Sequence, residues 1–158
     1  MDEKSNENSP ENRVTERFLI FAIREKRYAL PSALISEVAV MEKVFPLPLV
    51  PGYVCGIINR YSVPYALIDL NFLFSKENSG AGKVIILKEE IDRLALLIDD
   101  VTDFAELLPE QLINTGQEET AISGSIHAYF EWKGNPVFCL DAAELVSRIK
   151  QDFENKDI

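Results

Sequence analysis

The chain holds one histidine, one tryptophan, two cysteines and two methionines among 158 residues. Each scarcity removes a class of chemistry. Two Cys and one His make a thin metal set, and no metal or cofactor is expected. A triad built on His127 with Ser123 or Ser125 lacks an assigned acid and oxyanion donors. Cys55 and Cys139 lie in apolar surroundings and read as buried thiols rather than a disulfide. Glycine is sparse too. Gly80 and Gly82 are not followed by Lys-Ser/Thr and a helix, so no phosphate-binding loop is present. No apolar run nears the roughly 20 residues that span a bilayer. Residues 1–16 are polar and acidic and contain no apolar targeting segment. A cytoplasmic protein without direct membrane insertion is expected. Positive charge is also short, with 26 acidic against 16 basic residues and a net charge of −10. Nucleic acid would meet repulsion, and none is expected as a partner.

Hydrophobic residues make up 47% of the chain, enough for a buried core in one domain or two packed lobes. Short apolar runs separated by turn residues predict strands at 17–23, 27–30, 37–41, 53–61, 63–70, 83–88, 94–98, 125–132 and 136–140. Pro31 starts a predicted single helical turn. The proline-punctuated stretch 45–52 cannot be helical. Residues 109–120 read as a polar loop. A C-terminal helix is expected over 142–150, with Asp141 as its N-cap. The expected organisation is an acidic disordered tail at 1–16, a domain at 17–150 and a tail at 151–158. Within the domain, lobes at about 17–76 and 83–150 flank a linker at 77–82. The fold class is mainly β, with two small packed barrels and short helices.

What the chain does possess is an internal repeat. Arg27-Tyr28-Ala29-Leu30 and Ile35-Ser36-Glu37-Val38 are echoed 66 positions later by Arg93-Leu94-Ala95-Leu96 and Val101-Thr102-Asp103-Phe104. Residues 64–70, Pro-Tyr-Ala-Leu-Ile-Asp-Leu, are answered 72 positions later by Pro-Val-Phe-Cys-Leu-Asp-Ala at 136–142. Gly52 and Gly124 keep the same register. Asp69 and Asp141 therefore occupy equivalent strand ends. A small hydrolase would pair them as acid and base. A duplicated Asp with the same neighbours fits better as a cap on the helical turn that follows. His127 falls on the polar phase of its strand and is expected to be exposed. Alternation puts Asp99 and Asp103 on one face and Asp100 on the other, a solvated acidic edge that discourages strand pairing. Tyr53, Tyr61, Tyr65, Tyr129 and Trp132 could furnish docking pockets, while Phe18, Phe21 and Phe138 read as core.

Five blocks in order carry a family resemblance. They are residues 17–21 with Tyr28-Ala29-Leu30-Pro31 and Ile35-Ser36-Glu37-Val38, then Leu47-Pro48 to Pro51, then Val54-Cys55-Gly56-Ile57-Ile58-Asn59. Ala66-Leu67-Ile68-Asp69-Leu70 follows, and the last block joins Leu97-Ile98-Asp99-Asp100-Val101 to Pro109-Glu110-Gln111-Leu112-Ile113. Together they resemble the CheW-like domain, the coupling protein of bacterial chemotaxis. The resemblance implies two intertwined SH3-like five-stranded β-barrel lobes, no catalysis and a scaffold role. Its implied partners are the regulatory domain of a CheA-type histidine kinase and the cytoplasmic tip of a methyl-accepting chemoreceptor. It implies a monomer on its own, associated with membrane receptor arrays through those partners.

By the same resemblance, Ile35, Glu37 and Val38 match the receptor-facing segment. Gly56, Ile57, Ile58 and Asn59 lead to the family's functional arginine. Ile98 and Val101 join Ile35 and Val38 along the groove between lobes. The family's Asn-Leu-Arg-Gly is replaced here by Asn59-Arg60-Tyr61-Ser62. Tyr61 takes the arginine position, with Arg60 beside it, and a Tyr cannot supply a planar multi-donor cation. A chemosensory-type pathway for motility or development, or a competing coupling protein, is the alternative within the same class.

Overall fold

The computed structural model describes residues 14–78, 80, 82–114 and 125–156. Most of the expected N-terminal tail, residues 1–13, lies outside them, as does Gly124.

Strands β1 (Glu16–Ile23) and β2 (Lys26–Pro31) form a hairpin. A 3-10 turn, Ser32–Leu34, leads into β3 (Ile35–Val40). After the proline-punctuated connection come β4 (Val54–Arg60), β5 (Val63–Asp69) and α1 (Leu70–Ser75). The second half runs through β6 (Lys83–Leu87), β7 (Leu94–Ile98) and β8 (Asp100–Leu107). A 3-10 turn at Pro109–Gln111 and the short β9 (Ile113–Asn114) structure the start of the expected polar loop. Then follow β10 (Ile126–Trp132), β11 (Asn135–Leu140) and α2 (Ala142–Lys156).

The strands make two mixed sheets, ordered β3-β6-β7-β5-β4 and β8-β1-β2-β11-β10-β9. Replacing each strand of the first sheet by its repeat counterpart reproduces the second, with β9 added at its edge. The parallel pairs coincide as well, Ala66 opposite Leu94 and Phe138 opposite Tyr28. So do the bulges. The extra residue at Ser36 recurs at Thr102, and the one at Cys55 recurs at His127.

This topology corrects the lobe boundaries read from the sequence, 17–76 and 83–150. One lobe comprises β3 to β7, and the other comprises β1, β2 and β8 to β11. Each half lends its first hairpin to the other half's sheet. A repeat marks what was duplicated. Which strands share hydrogen bonds is a non-local matter that leaves no local signal.

The exchange explains the sequence pattern. In β1, Leu19, Phe21 and Ile23 face a core shared by the lobes, while Phe18 and Ile20 fill one lobe's interior. In β6, Ile85 and Leu87 face the shared core, while Val84 and Ile86 fill the other interior. Strands buried on both faces must be apolar throughout. Strands β3 and β8 lie at sheet edges, and their burial alternates along β3 and over most of β8.

The equivalent aspartates both cap. Asp69 Oδ1 accepts the Phe72 N–H at 3.2 Å, and Asp141 Oδ1 accepts the Glu144 N–H at 3.2 Å. Helix α1 stops where Lys76 turns left-handed and its N–H reaches the Phe72 carbonyl at 2.8 Å. Helix α2 runs six residues past the expected end at Lys150, so most of the expected tail at 151–158 is helical. The extension has anchors in the rest of the fold. Phe153 packs on the shared core, and the Tyr53 hydroxyl donates to Asp152 Oδ2 at 2.5 Å. Burial and that carboxylate hold the Tyr53 phenol well above its ordinary pKa.

Candidate functional site

The site grows from the way each sheet curls. Strands β3 and β4 are opposite edges of one sheet, yet Arg60 Nε on β4 donates to Glu37 Oε2 on β3. Arg60 Nη1 also lies 3.8 Å from Glu42 Oε1. These contacts bring the edges together and close the lobe. The same donation to Glu37 is the chief reason that Arg60 holds its proton more tightly than usual. Beneath Arg60, Ala39, Ile58, Val84 and Ile86 leave a hollow of only about 20 Å³. That is room for one water at most.

Beyond Arg60 the chain reverses in two residues. Tyr61 and Ser62 have φ of 52° and 67°, a left-handed pair of the kind that hairpin turns need and that Asn-Gly supplies with least strain. The turn lifts the Tyr61 ring into solvent, 81% exposed, with the Arg60 guanidinium carbon 5.2 Å from the ring centroid. Val38 and Val40 project from the outer face of β3. Phe45 and Leu47 are exposed on the connection that bridges to β4 through Phe45 and Ile57.

The residues singled out in the sequence divide accordingly. Val38, Asn59 and Tyr61 are exposed, and Ile35, Glu37, Ile57, Arg60 and Val101 are partly covered. Ile98 is 1% exposed and belongs to the shared core, so it cannot line a groove. Ile58 and Gly56 are also buried. Gly56 has φ of 144°, and a Cβ there would lie 2.3 Å from the Phe45 carbonyl oxygen. Its part is to let the Phe45 segment pair closely along β4. Glu37 is committed to Arg60 rather than free for a partner. Of the five candidate docking aromatics, Tyr53 and Tyr65 are buried and Tyr129 and Trp132 are half-buried, which leaves Tyr61. The exposed Val40, Phe45, Leu47 and Phe104 were missed. Val40 and Phe104 sit at outward positions of alternating edge strands, a readable signal.

The other lobe closes at the equivalent place. Trp132 Nε1 on β10 donates to Asp103 Oδ2 on β8 at 2.8 Å, and Lys133 Nζ reaches the same oxygen at 2.9 Å. Lys133 and Trp132 bring the Asp103 carboxyl down from 3.8 to about 2. The other acids of the expected edge are also engaged. Asp99 Oδ2 accepts the Arg24 N–H at 2.6 Å, and Asp100 lies 3.2 Å from Lys83 Nζ. His127 is exposed, as expected.

Among the described residues the geometry holds little reactive equipment. Asp69 and Asp141 stand at the ends of strands in different sheets, each capping its own helix. The cysteines are free, and burial pushes Cys55 up to about 11 and Cys139 to about 12. Among the described residues, no three His, Cys, Asp or Glu side chains gather as a metal site. No helix among them is long and apolar enough to cross a membrane.

Comparison with known proteins agrees with this architecture. Residues 17–150 match the model of the CheW-like domain. The chain is 24% identical over 139 residues to the chemotaxis protein CheW of Treponema pallidum, covering 83% of this chain and 82% of that one. It is 24% identical over 102 residues to the chemotaxis protein CheW of Klebsiella aerogenes, a match to 63% of this chain and only 61% of the relative's length. The crystal structure of the scaffolding protein TtCheW from Thermoanaerobacter tengcongensis superposes with a TM-score of 0.73 at 16% identity, over 85% of this chain and 89% of that one. The matched domain takes in both lobes and the two closures that hold them, and the chain belongs to the CheW-like family.

Proposed function

We propose that this chain is a non-catalytic, cytoplasmic adaptor that couples the tip of a methyl-accepting chemoreceptor to the regulatory domain of a CheA-type histidine kinase. It reaches the membrane array through those partners and is monomeric without them. Beyond the family, one observation carries the reading. The edge where β3 meets β4 exposes Val38, Val40, Phe45, Leu47 and Tyr61 outside an interior occupied by Ile58, Leu67, Val84 and Ile86. Apolar side chains outside a full interior suit a protein partner rather than a small molecule.

The chemistry of the contact is specific to this chain. Arg60 is neutralised by Glu37 and Glu42, so the turn offers an aromatic ring in place of a free cation. Tyr61 is the anchor, and its partner supplies an apolar pocket. Calorimetry with the kinase regulatory domain and with a receptor-tip fragment tests this. Binding at tens of micromolar or tighter is expected, weakened about fivefold or more by Tyr61→Ala. Failure of both partners to bind rejects the adaptor reading. Tighter binding by Tyr61→Arg would reject the aromatic anchor while keeping the adaptor.

A further inference from the structure

A second surface shares none of those residues. A cleft of about 860 Å³ opens where α2 lies across the two lobes. Pro31 and Leu34 reach it from the crossing after β2, Ile91 from the turn after β6, and Leu140 and Val146 from the junction with α2. Leu34, Ile91 and Val146 rest on the shared core with one side left open. The cleft thus has an apolar floor contributed by both lobes.

Charge around the rim is one-sided. Glu90, Asp141 and Glu154 line the cleft, against His127 and Lys150. Lys150 is already engaged, with its Nζ 3.5 Å from Asp92 Oδ2. His127 Nδ1 lies 3.9 Å from Asp141 Oδ2. Glu90 and Glu154 have no ion-pair partner among the described residues. Along α2 the lining positions are 142 and 143, 146 and 147, 150 and 151, and 154. This is one ridge at four-residue spacing. At 1.5 Å per residue it is about 18 Å long, or three turns. Ridges of this spacing accept the side chains of a second helix laid alongside.

We infer that the cleft docks a basic amphipathic helix of another protein. Its apolar face lies on Leu34, Ile91 and Val146, and its Lys or Arg side chains reach Glu90 and Glu154. The occupant follows from the shape of the ridge and the unbalanced acid, and it is independent of the Tyr61 surface.

The test is fluorescence anisotropy of the full chain with a labelled peptide of about 15 residues, Leu and Lys at helical spacing, beside the same peptide with Glu for Lys. The Lys peptide should bind saturably and gain helical circular dichroism, and the Glu peptide should not bind. Ala143→Trp fills the cleft from an exposed position and should weaken binding about tenfold or more. Glu90→Lys with Glu154→Lys should do the same. Glu25→Lys with Glu131→Lys makes the same charge change elsewhere and should stay within about twofold. Equal losses from the two charge pairs would reveal mere attraction to an acidic protein and overturn the proposal. Indifference to Ala143→Trp, or no binding of the Lys peptide, would overturn it too. A dimer that Ala143→Trp dissociates would name a second copy as the occupant, against the proposal.

Discussion

The two lobes close at the same place with different chemistry. In one, Arg60 grips Glu37 and the next residue, Tyr61, stands in solvent. In the other, Trp132 and Lys133 both grip Asp103. Glu37 and Asp103 are repeat counterparts, as are Arg60 and Trp132. The structural duty, an acid on one edge strand tied to the turn of the hairpin opposite, persists in both copies. The turn residues are where the copies part. The second lobe turns through Lys133 at φ 53° and Gly134 at φ 85°, with glycine at ease in the second place, while the first puts Ser62 there after Tyr61, both in left-handed conformations. A non-glycine pair held there is strained. The strain that sets the first turn apart lies at Ser62, beside the exposed Tyr61 ring.

The comparison can be broken most forcefully at Gly56. Its counterpart Ala128 already carries a Cβ, whereas one at Gly56 meets the Phe45 carbonyl. Gly56→Ala should cost about 3 kcal/mol or more in urea unfolding, and Ala128→Gly about 1 kcal/mol. Equal costs would show that the close pairing of Phe45 with β4 is not what demands glycine. Next comes the closure itself. Trp132→Ala should lose about 2 kcal/mol, since the half-buried indole packs on its lobe's interior besides donating to Asp103. Arg60→Ala, which removes an ion pair but no ring packed on the interior, should lose less. A reversal of that order would move the weight of closure to the first lobe.

The turns supply a finer test. Ser62→Gly should stabilise the protein by about 0.5–1 kcal/mol, and Gly134→Ser should destabilise it by a similar amount. If both were neutral, the strain argument would fail. The smallest effect concerns acid. The folded Asp103 carboxyl titrates at about 2, below its ordinary 3.8. A carboxyl lowered in the folded state adds stability that is complete above its unfolded pKa and is lost as pH falls through the folded value. Wild type should therefore lose stability between about pH 4 and 2. Asp103→Asn should flatten that part of the acid unfolding profile. An unchanged profile would sever Asp103 from Lys133 and Trp132.

Much of the fold was legible because its local features repeat. The strands, both capping aspartates and the exposure of Tyr61 and His127 could be read from single stretches. The edge strand at 100–107 was legible too, since its alternation contrasts with the unbroken apolar runs of β1, β6 and β7, while the same alternation at 35–40 went unread and the strand was expected only from 37. The same contrast carried a further message that went unread. A strand without a polar phase must be covered on both sides, so the first hairpin of each half had to lie between two layers. The lobe boundaries went astray because chain order stood in for pairing. At the site, Glu37 looked available because nothing local reveals that Arg60, 23 residues away, reaches it. Ile98 looked like groove lining because apolar character alone does not separate a wall from a core.

The exchange of hairpins has a consequence for how such a molecule could arise. A half chain on its own can complete neither sheet, since two strands of each come from the other half. Two identical half chains could complete both, as a symmetric dimer with swapped hairpins. Joined end to end through a short linker, they would give this strand order, with the matching bulges as remnants of that symmetry. The joining frees each copy of the turn to change alone. A symmetric dimer would have to present the same turn twice, whereas the fused chain carries Tyr61 on one side and Lys133 on the other.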